Sequence, residues 1–149
     1  FSAQRRTHGS RVLHGGERLR EGDLALGHFV APTLSESPPT HPLFAQEMFL
    51  PILMMTRVKT LDEAIGRANE TPLGLTAGCY GNQSEVEGFE RGIEAGVIYV
   101  NRPQGATTGA WPGFQAFAGW KGSSSTGKAI GSFYYLPQYL REQSLTWVE

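Results

Sequence analysis

Few residues of this chain have both the chemistry and the neighbours for a site. Glu47 is a lone carboxylate in an apolar stretch, Ala45-Gln46-Glu47-Met48-Phe49-Leu50-Pro51. Burying such a group is costly unless it is hydrogen-bonded. It can accept both hydroxyls of a ribose, as acidic residues do in dinucleotide sites; it can equally be a helix-end or surface glutamate. Gly105-Ala106-Thr107-Thr108-Gly109-Ala110 is built of small residues, which let backbone N–H groups approach and point at an anion. The aromatics interleaved after it, Trp111, Phe114, Phe117 and Trp120, suit the walls of an apolar pocket beside that anion. They suit equally the core beneath a flexible connection.

Other constellations carry less. Gly122-Ser123-Ser124-Ser125-Thr126-Gly127-Lys128-Ala129 stops one residue short of a phosphate-binding loop, because Ala129 stands where Ser or Thr must hold magnesium. It reads as a Gly/Ser loop with a surface lysine. His8, His14, His28 and His41 lack metal-ligand spacing and a single cysteine cannot build a structural zinc site, so no metal is expected. Cys79, among Thr76, Ala77, Gly78 and Tyr80, has no adjacent base or cation to activate it. It reads as a buried, inert thiol.

Composition bounds the answer. The chain has 149 residues with 13 Lys+Arg against 14 Asp+Glu, a formal net charge of −1, and 40% apolar residues. That is a globular balance. Without a basic surplus, phosphate-neutralising nucleic-acid binding is not expected. No apolar run approaches the ~20 residues that span a bilayer, so no membrane partner is expected. The N-terminal residues carry no signal-peptide pattern, and one cysteine suits a reducing compartment; a cytoplasmic location is expected. A start at Phe1 is expected to continue a longer chain.

The elements that must position these residues read as an α/β layer. His28–Leu34 suggests a short strand ending in a proline-rich loop over Ser35–Pro42, with a turn or irregular approach over Phe44–Phe49. Ile52–Val58 reads as a buried strand. Thr60 caps a helix bearing Leu61, Ala64, Ile65 and Ala68 on one face, with Glu63 completing a capping box. Leu73–Tyr80 reads as a strand, Ser84 as the cap of a second helix stopped by Gly96, and Val97–Val100 as the strongest strand. Strand, helix, strand, helix, strand is the order of a parallel sheet with crossover helices. The tail closes on an apolar strand, Leu145-Thr146-Trp147-Val148, which needs a sheet edge or another subunit to cover it.

Taken in order, these stretches resemble the C-terminal part of an aldehyde dehydrogenase. Gly15-Gly16-Glu17 and Gly27-His28-Phe29-Val30-Ala31-Pro32-Thr33 resemble the approach to the family's Glu-Glu-Ile-Phe-Gly-Pro motif, which reads Gln46-Glu47-Met48-Phe49-Leu50-Pro51 here. Glu63-Ala64-Ile65, Ala68-Asn69, Leu73-Gly74-Leu75-Thr76-Ala77-Gly78 and Ala95-Gly96-Val97-Ile98-Tyr99-Val100-Asn101-Arg102 follow in family order. Asn101-Arg102, Thr108-Gly109-Ala110 and Gly113-Phe114-Gln115-Ala116-Phe117-Ala118-Gly119 are most similar to pyrroline-5-carboxylate dehydrogenases, which oxidise glutamate semialdehyde to glutamate.

The resemblance implies that Glu47 holds the nicotinamide ribose and that Phe49 packs against the nicotinamide. It implies that the Gly109 and Ala110 amides anchor the substrate carboxylate, and that Phe117 lines the aldehyde pocket. NAD or NADP serves the complete enzyme, whose mechanism is thiolate attack, hydride transfer and thioester hydrolysis. The catalytic cysteine and general-base glutamate of the family fall upstream of these motifs, and Cys79 matches a non-catalytic strand position. The expected chain is therefore an α/β portion of the catalytic domain over 1–132. A tail over 133–149 follows, whose strand adds to a neighbouring subunit. It is expected to be inactive alone; the alternative is a non-catalytic oligomerisation or partner-binding module from that family. Leu50 stands where the family has Gly, and Ala116 and Ala118 interrupt its Pro-Phe-Gly-Gly pattern. Added side chains where a backbone must approach closely are expected to obstruct cofactor or substrate and to reduce or alter binding.

Overall fold

A computed structural model describes residues 9–103 and 115–149. The chain forms two units, Phe1–Thr71 and Pro72–Glu149.

The first unit is built on a three-stranded sheet, β1 (Arg11–His14), β2 (Thr33–Glu36) and β3 (Ile52–Met55), with β2 in the middle. β2 runs antiparallel to β1 and parallel to β3, in register from Thr33↔Ile52 to Glu36↔Met55. After β1 the chain turns through Gly15, at φ 67°, where a Cβ would fall 1.9 Å from the Pro32 carbonyl oxygen. Only glycine allows both the left-handed turn and this approach. β2 starts later than the expected His28–Leu34 strand and takes in Ser35 and Glu36 from the expected loop. Its hydroxyl side chains explain the difference. Thr33, Ser35 and Ser37 are buried but paired, Ser35 Oγ donating to the Arg11 carbonyl at 3.3 Å and Ser37 Oγ to Ser10 Oγ at 2.7 Å. Paired hydroxyls can be buried at little cost, so this strand lacks an apolar alternation.

Helix α1 (Leu61–Asn69) follows the expectation closely. Thr60 Oγ1 accepts from Glu63 N at 3.1 Å, while the Glu63 carboxylate reaches back to Lys59 N at 3.0 Å, one residue before the cap. Leu61, Ala64 and Ile65 are half-buried.

In the second unit the expected strand over Leu73–Tyr80 is two strands. β4 (Leu73–Gly74) pairs antiparallel with β7 (Trp120–Lys121), and β5 (Thr76–Cys79) pairs in parallel with β6 (Val97–Val100). Two partners distant in sequence pull one extended stretch into different sheets. Helix α2 (Gln83–Gly92) crosses between β5 and β6. Its cap is Asn82, not Ser84: Asn82 Oδ1 accepts from Glu85 N at 3.1 Å and Asn82 N donates to Glu85 Oε2 at 2.8 Å. Ser84 and Glu87 share that spacing, but the earlier pair starts the helix at Gln83, ahead of Ser84. Ile93 N ends the helix on Phe89 O, and Gly96 instead enters the sheet through Gly74 O. Val86, Phe89, Ile93, Ala95 and Val97 form the core of this unit. Among the described residues, 141–149 form no hydrogen-bonded element, and Leu145, Trp147 and Val148 are exposed.

Candidate functional site

In the first unit the His41 ring caps a short 3-10 turn, Pro42–Phe44, its Nδ1 accepting from Leu43 N at 3.2 Å, and Leu43 anchors the turn in the interior. From there the chain crosses the surface to β3, with Met48 half-buried between exposed Glu47 and exposed Phe49. Phe49 takes a left-handed φ of 51° and is 90% exposed; for a bulky residue that conformation costs about 1–2 kcal/mol. A tight turn follows, Ile52 N donating to Leu50 O at 2.7 Å, and Thr33 N takes the Pro51 carbonyl at 2.9 Å. This pins the end of the segment to the sheet. A carboxylate and an aromatic ring, two residues apart, are thus held facing solvent. Glu47 is exposed, as the surface alternative of the sequence reading has it. Leu50 is itself exposed.

In the second unit Phe117 is half-buried and bridged to Ile130, its N–H donating to Ile130 O at 2.9 Å. The next residue is seated by Gly96, where a Cβ would fall 2.4 Å from the Ala118 carbonyl oxygen. Neither Ala116 nor Ala118 adopts left-handed backbone. Phe117 lines a cavity of about 290 Å³ with Leu75, Ile130, Tyr135, Tyr139 and the Ser123–Thr126 loop. Tyr135 and Tyr139 meet edge-to-face at 5.4 Å. The Tyr139 phenol is held above its ordinary value, first by its hydrogen bond with Tyr135 and then by desolvation. Gly109 and Ala110 lie outside the described residues.

The remaining constellations resolve simply. The Gly122–Ala129 stretch follows a two-residue strand and leads to no helix. Its hydroxyls bond their own loop, Ser124 Oγ to Thr126 O and Thr126 Oγ1 to Lys128 O, and Lys128 Nζ sits 4.9 Å over the Tyr134 ring. Cys79 is half-buried on β5. Among the described residues no cluster of three His, Cys, Asp or Glu is disposed around a metal.

One residue was visible in the sequence only as part of a motif. Asn101, at φ 47°, follows β6, and its side-chain amide grips the Gly81 peptide both ways. Gly81 N donates to Asn101 Oδ1 and Asn101 Nδ2 donates to Gly81 O, each at 3.0 Å. The available signal was an asparagine directly after a strand, since asparagine tolerates left-handed backbone.

The aldehyde dehydrogenase family model matches residues 1–145. The chain belongs to that family. Aldehyde dehydrogenase B of Escherichia coli (strain K12) is 38% identical over 117 residues, which are 77% of this chain and 22% of that protein. Fluoroacetaldehyde dehydrogenase of Streptantibioticus cattleyicolor is similar to the same extent. Among solved structures, a Thermus 1-pyrroline-5-carboxylate dehydrogenase with bound NAD aligns with a TM-score of 0.79 and 36% identity. It covers 94% of this chain and 26% of its own. Lactaldehyde dehydrogenase from Escherichia coli aligns at 0.75 and 31%, over 95% of this chain and 28% of its own. The chain spans about a quarter of the length of these aldehyde dehydrogenases. Its two units thus form an α/β portion of the aldehyde dehydrogenase fold.

Proposed function

We propose that this chain supplies the ribose-holding and substrate-holding part of an NAD(P)-dependent aldehyde dehydrogenase that oxidises glutamate semialdehyde to glutamate, and that it does not turn over alone. The observation that carries the reading is the outward pair Glu47 and Phe49. A solvated carboxylate fits the two hydroxyls of a ribose, and a ring exposed on both faces fits a flat nicotinamide. When bound, that ring accepts a hydride from the aldehyde carbon. Glu47 orients the sugar and Phe49 the ring, while Phe117 walls the aldehyde chain. The Gly109 and Ala110 amides take the carboxylate that distinguishes glutamate semialdehyde from a simple aldehyde. Cys79, on a strand of the second unit away from any activating cation in its own sequence, is left without a catalytic part.

The test mixes the purified chain with NAD⁺ and glutamate semialdehyde and follows nicotinamide absorbance. No turnover is expected, and turnover by the chain alone would overturn its assignment as incomplete. Titration with NAD⁺ is expected to saturate, with Glu47→Gln weakening binding about tenfold through loss of charged hydrogen bonds. Equal affinity of the two proteins would remove Glu47 from the cofactor site.

A second reading, a non-catalytic oligomerisation or partner-binding module, is favoured by one feature. Leu145, Trp147 and Val148 are each about four-fifths exposed in the single chain, an apolar run suited to a sheet edge of another copy. Sedimentation across a concentration series tests it. A monomer at every concentration sinks self-association through this tail.

A further inference from the structure

We infer that His41 is a positioning residue: its ring fixes the turn from which the chain runs out to Glu47 and Phe49. The inference rests on the proposed cofactor role of those two side chains. In the 3-10 turn Pro42–Phe44, Phe44 N donates to His41 O and Ala45 N to Pro42 O, each at 3.1 Å. Pro42 has no N–H to place. That leaves the N–H of buried Leu43, which His41 Nδ1 accepts at 3.2 Å. A buried N–H without an acceptor is costly, so the imidazole completes the turn. The His41 N–H meanwhile donates to Pro38 O at 2.9 Å. One residue thus closes two successive turns.

Packing holds this turn less firmly. Leu43 is its one buried side chain, while Pro42, Phe44 and Ala45 wall a cavity of about 390 Å³ with Val58, Ala64 and Ala68. Atoms beside a void have fewer contacts to keep them in place. At its far end the segment is pinned to the sheet, Thr33 N donating to Pro51 O and Ile52 N to Leu50 O. Among the described residues no backbone hydrogen bond holds residues 46–49 between these anchors. With both ends fixed, four residues have few courses open, and they take one with Met48 half-buried and Glu47 and Phe49 exposed. Released at the His41 end, they gain conformations in which the carboxylate and the ring no longer meet one ligand together. That lowers the fraction of chain ready to bind.

The test uses the 149-residue chain and its His41→Ala, His41→Asn and His41→Gln variants. Asparagine places an oxygen where Nδ1 stands, and such oxygens accept from the N–H two residues on. Glutamine carries its oxygen one carbon further out. Amide exchange is read at Leu43, with Leu34 and Ser35 on β2 as the control. Backbone resonances are read at Glu47 and Phe49, and binding by titration with NAD⁺. In His41→Ala, exchange at Leu43 is expected to rise at least about fivefold, with Leu34 and Ser35 unchanged. The Glu47 and Phe49 resonances shift and NAD⁺ binding weakens severalfold. His41→Asn returns all three readings toward the parent, and His41→Gln does not. Should His41→Ala not fold, the asparagine and glutamine variants carry the comparison. Faster exchange at Leu43 with unmoved Glu47 and Phe49 resonances overturns the positioning role, whether or not NAD⁺ binds. So does an equal shift in His41→Asn and His41→Gln, because the place of the acceptor would then not matter. Exchange rising alike on β2 makes His41 a general support of the sheet and overturns the role too. Shifted resonances in a chain whose parent form never binds NAD⁺ leave the positioning standing and sink the cofactor role of Glu47 instead.

Discussion

The side chains buried in the first unit are Thr33, Ser35, Ser37, His41 and Leu43, whereas those buried in the second are Val86, Phe89, Ile93, Ala95 and Val97. One interior is hydroxyl-rich, the other aliphatic and aromatic. Both units leave large apolar side chains more than half exposed, among them Leu26, Phe49, Leu50 and Leu53 in the first and Phe133, Leu136, Leu145, Trp147 and Val148 in the second. The described cohesion of the first unit comes from sheet hydrogen bonds, paired hydroxyls and the two ion pairs of Glu36. A hydrogen bond contributes about 1 kcal/mol net, and a fully buried large apolar side chain about 1.5–3 kcal/mol. The Glu47–Phe49 segment of the first unit therefore rests on a polar, lightly anchored frame, whereas α2, β5 and β6 of the second rest on an apolar, tightly anchored one.

The largest expected effect tests the second frame. Phe89 is 5% exposed on α2, and Phe89→Ala is expected to cost about 3–5 kcal/mol, transfer and cavity together. Amide exchange along β5 and β6 reads the loss. A cost near 1 kcal/mol would mean that the apolar core holds this unit no more firmly than hydroxyl pairs hold the other.

Ser35→Ala makes the corresponding cut in the first frame. Ser35 is fully buried and its Oγ donates to the Arg11 carbonyl. Losing that bond is expected to cost about 1 kcal/mol, read as exchange along β2. If Ser35→Ala costs as much as Phe89→Ala, the contrast between the two interiors collapses.

That contrast also marks where the sequence is legible. Helix α1 and strand β6 are readable because their signals are local: Thr60 with Glu63 three residues on, and four β-formers after Ala95-Gly96. β2 is not, because Thr33, Ser35 and Ser37 bury polar atoms that carry no hydrophobic period. The break between β4 and β5 is not, because it is set by Lys121 and Trp120, paired with Leu73 and Gly74 from far along the chain. The α2 cap is misread as Ser84 because Ser84–Glu87 has the same spacing as the true pair, Asn82–Glu85. At the site, Glu47 is singled out as a lone carboxylate in an apolar stretch and Phe49 by the motif alone. Whether they face inward or outward is not legible there; the structure leaves both exposed on either side of the half-buried Met48, with a left-handed turn at Phe49.

The smallest expected effect concerns Glu36, where the polar frame meets solvent. Its carboxylate joins all three strands: Arg11 Nη2 on β1 donates to Oε2 at 2.7 Å, and Arg57 Nε, just past β3, to Oε1 at 2.8 Å. The Arg11 hydrogen bond, then that of Arg57, holds the Glu36 carboxyl below its ordinary value of 4.5. A carboxyl depressed by folding contributes its stability in full above the unfolded value, near 4.5. It loses that stability as pH falls through the lower folded value. The first unit should thus weaken as the solution is acidified below about 4.5, and Glu36→Gln should flatten that dependence. Both arginines are largely exposed, at 72% and 80% of their side chains, so the pairs are screened and the slope is shallow. Unfolding midpoints at low and high salt across this range, for parent and variant, read the effect. An acid slope at low salt that survives Glu36→Gln unchanged would mean that the three strands are held by their ladders and hydroxyls without help from charge.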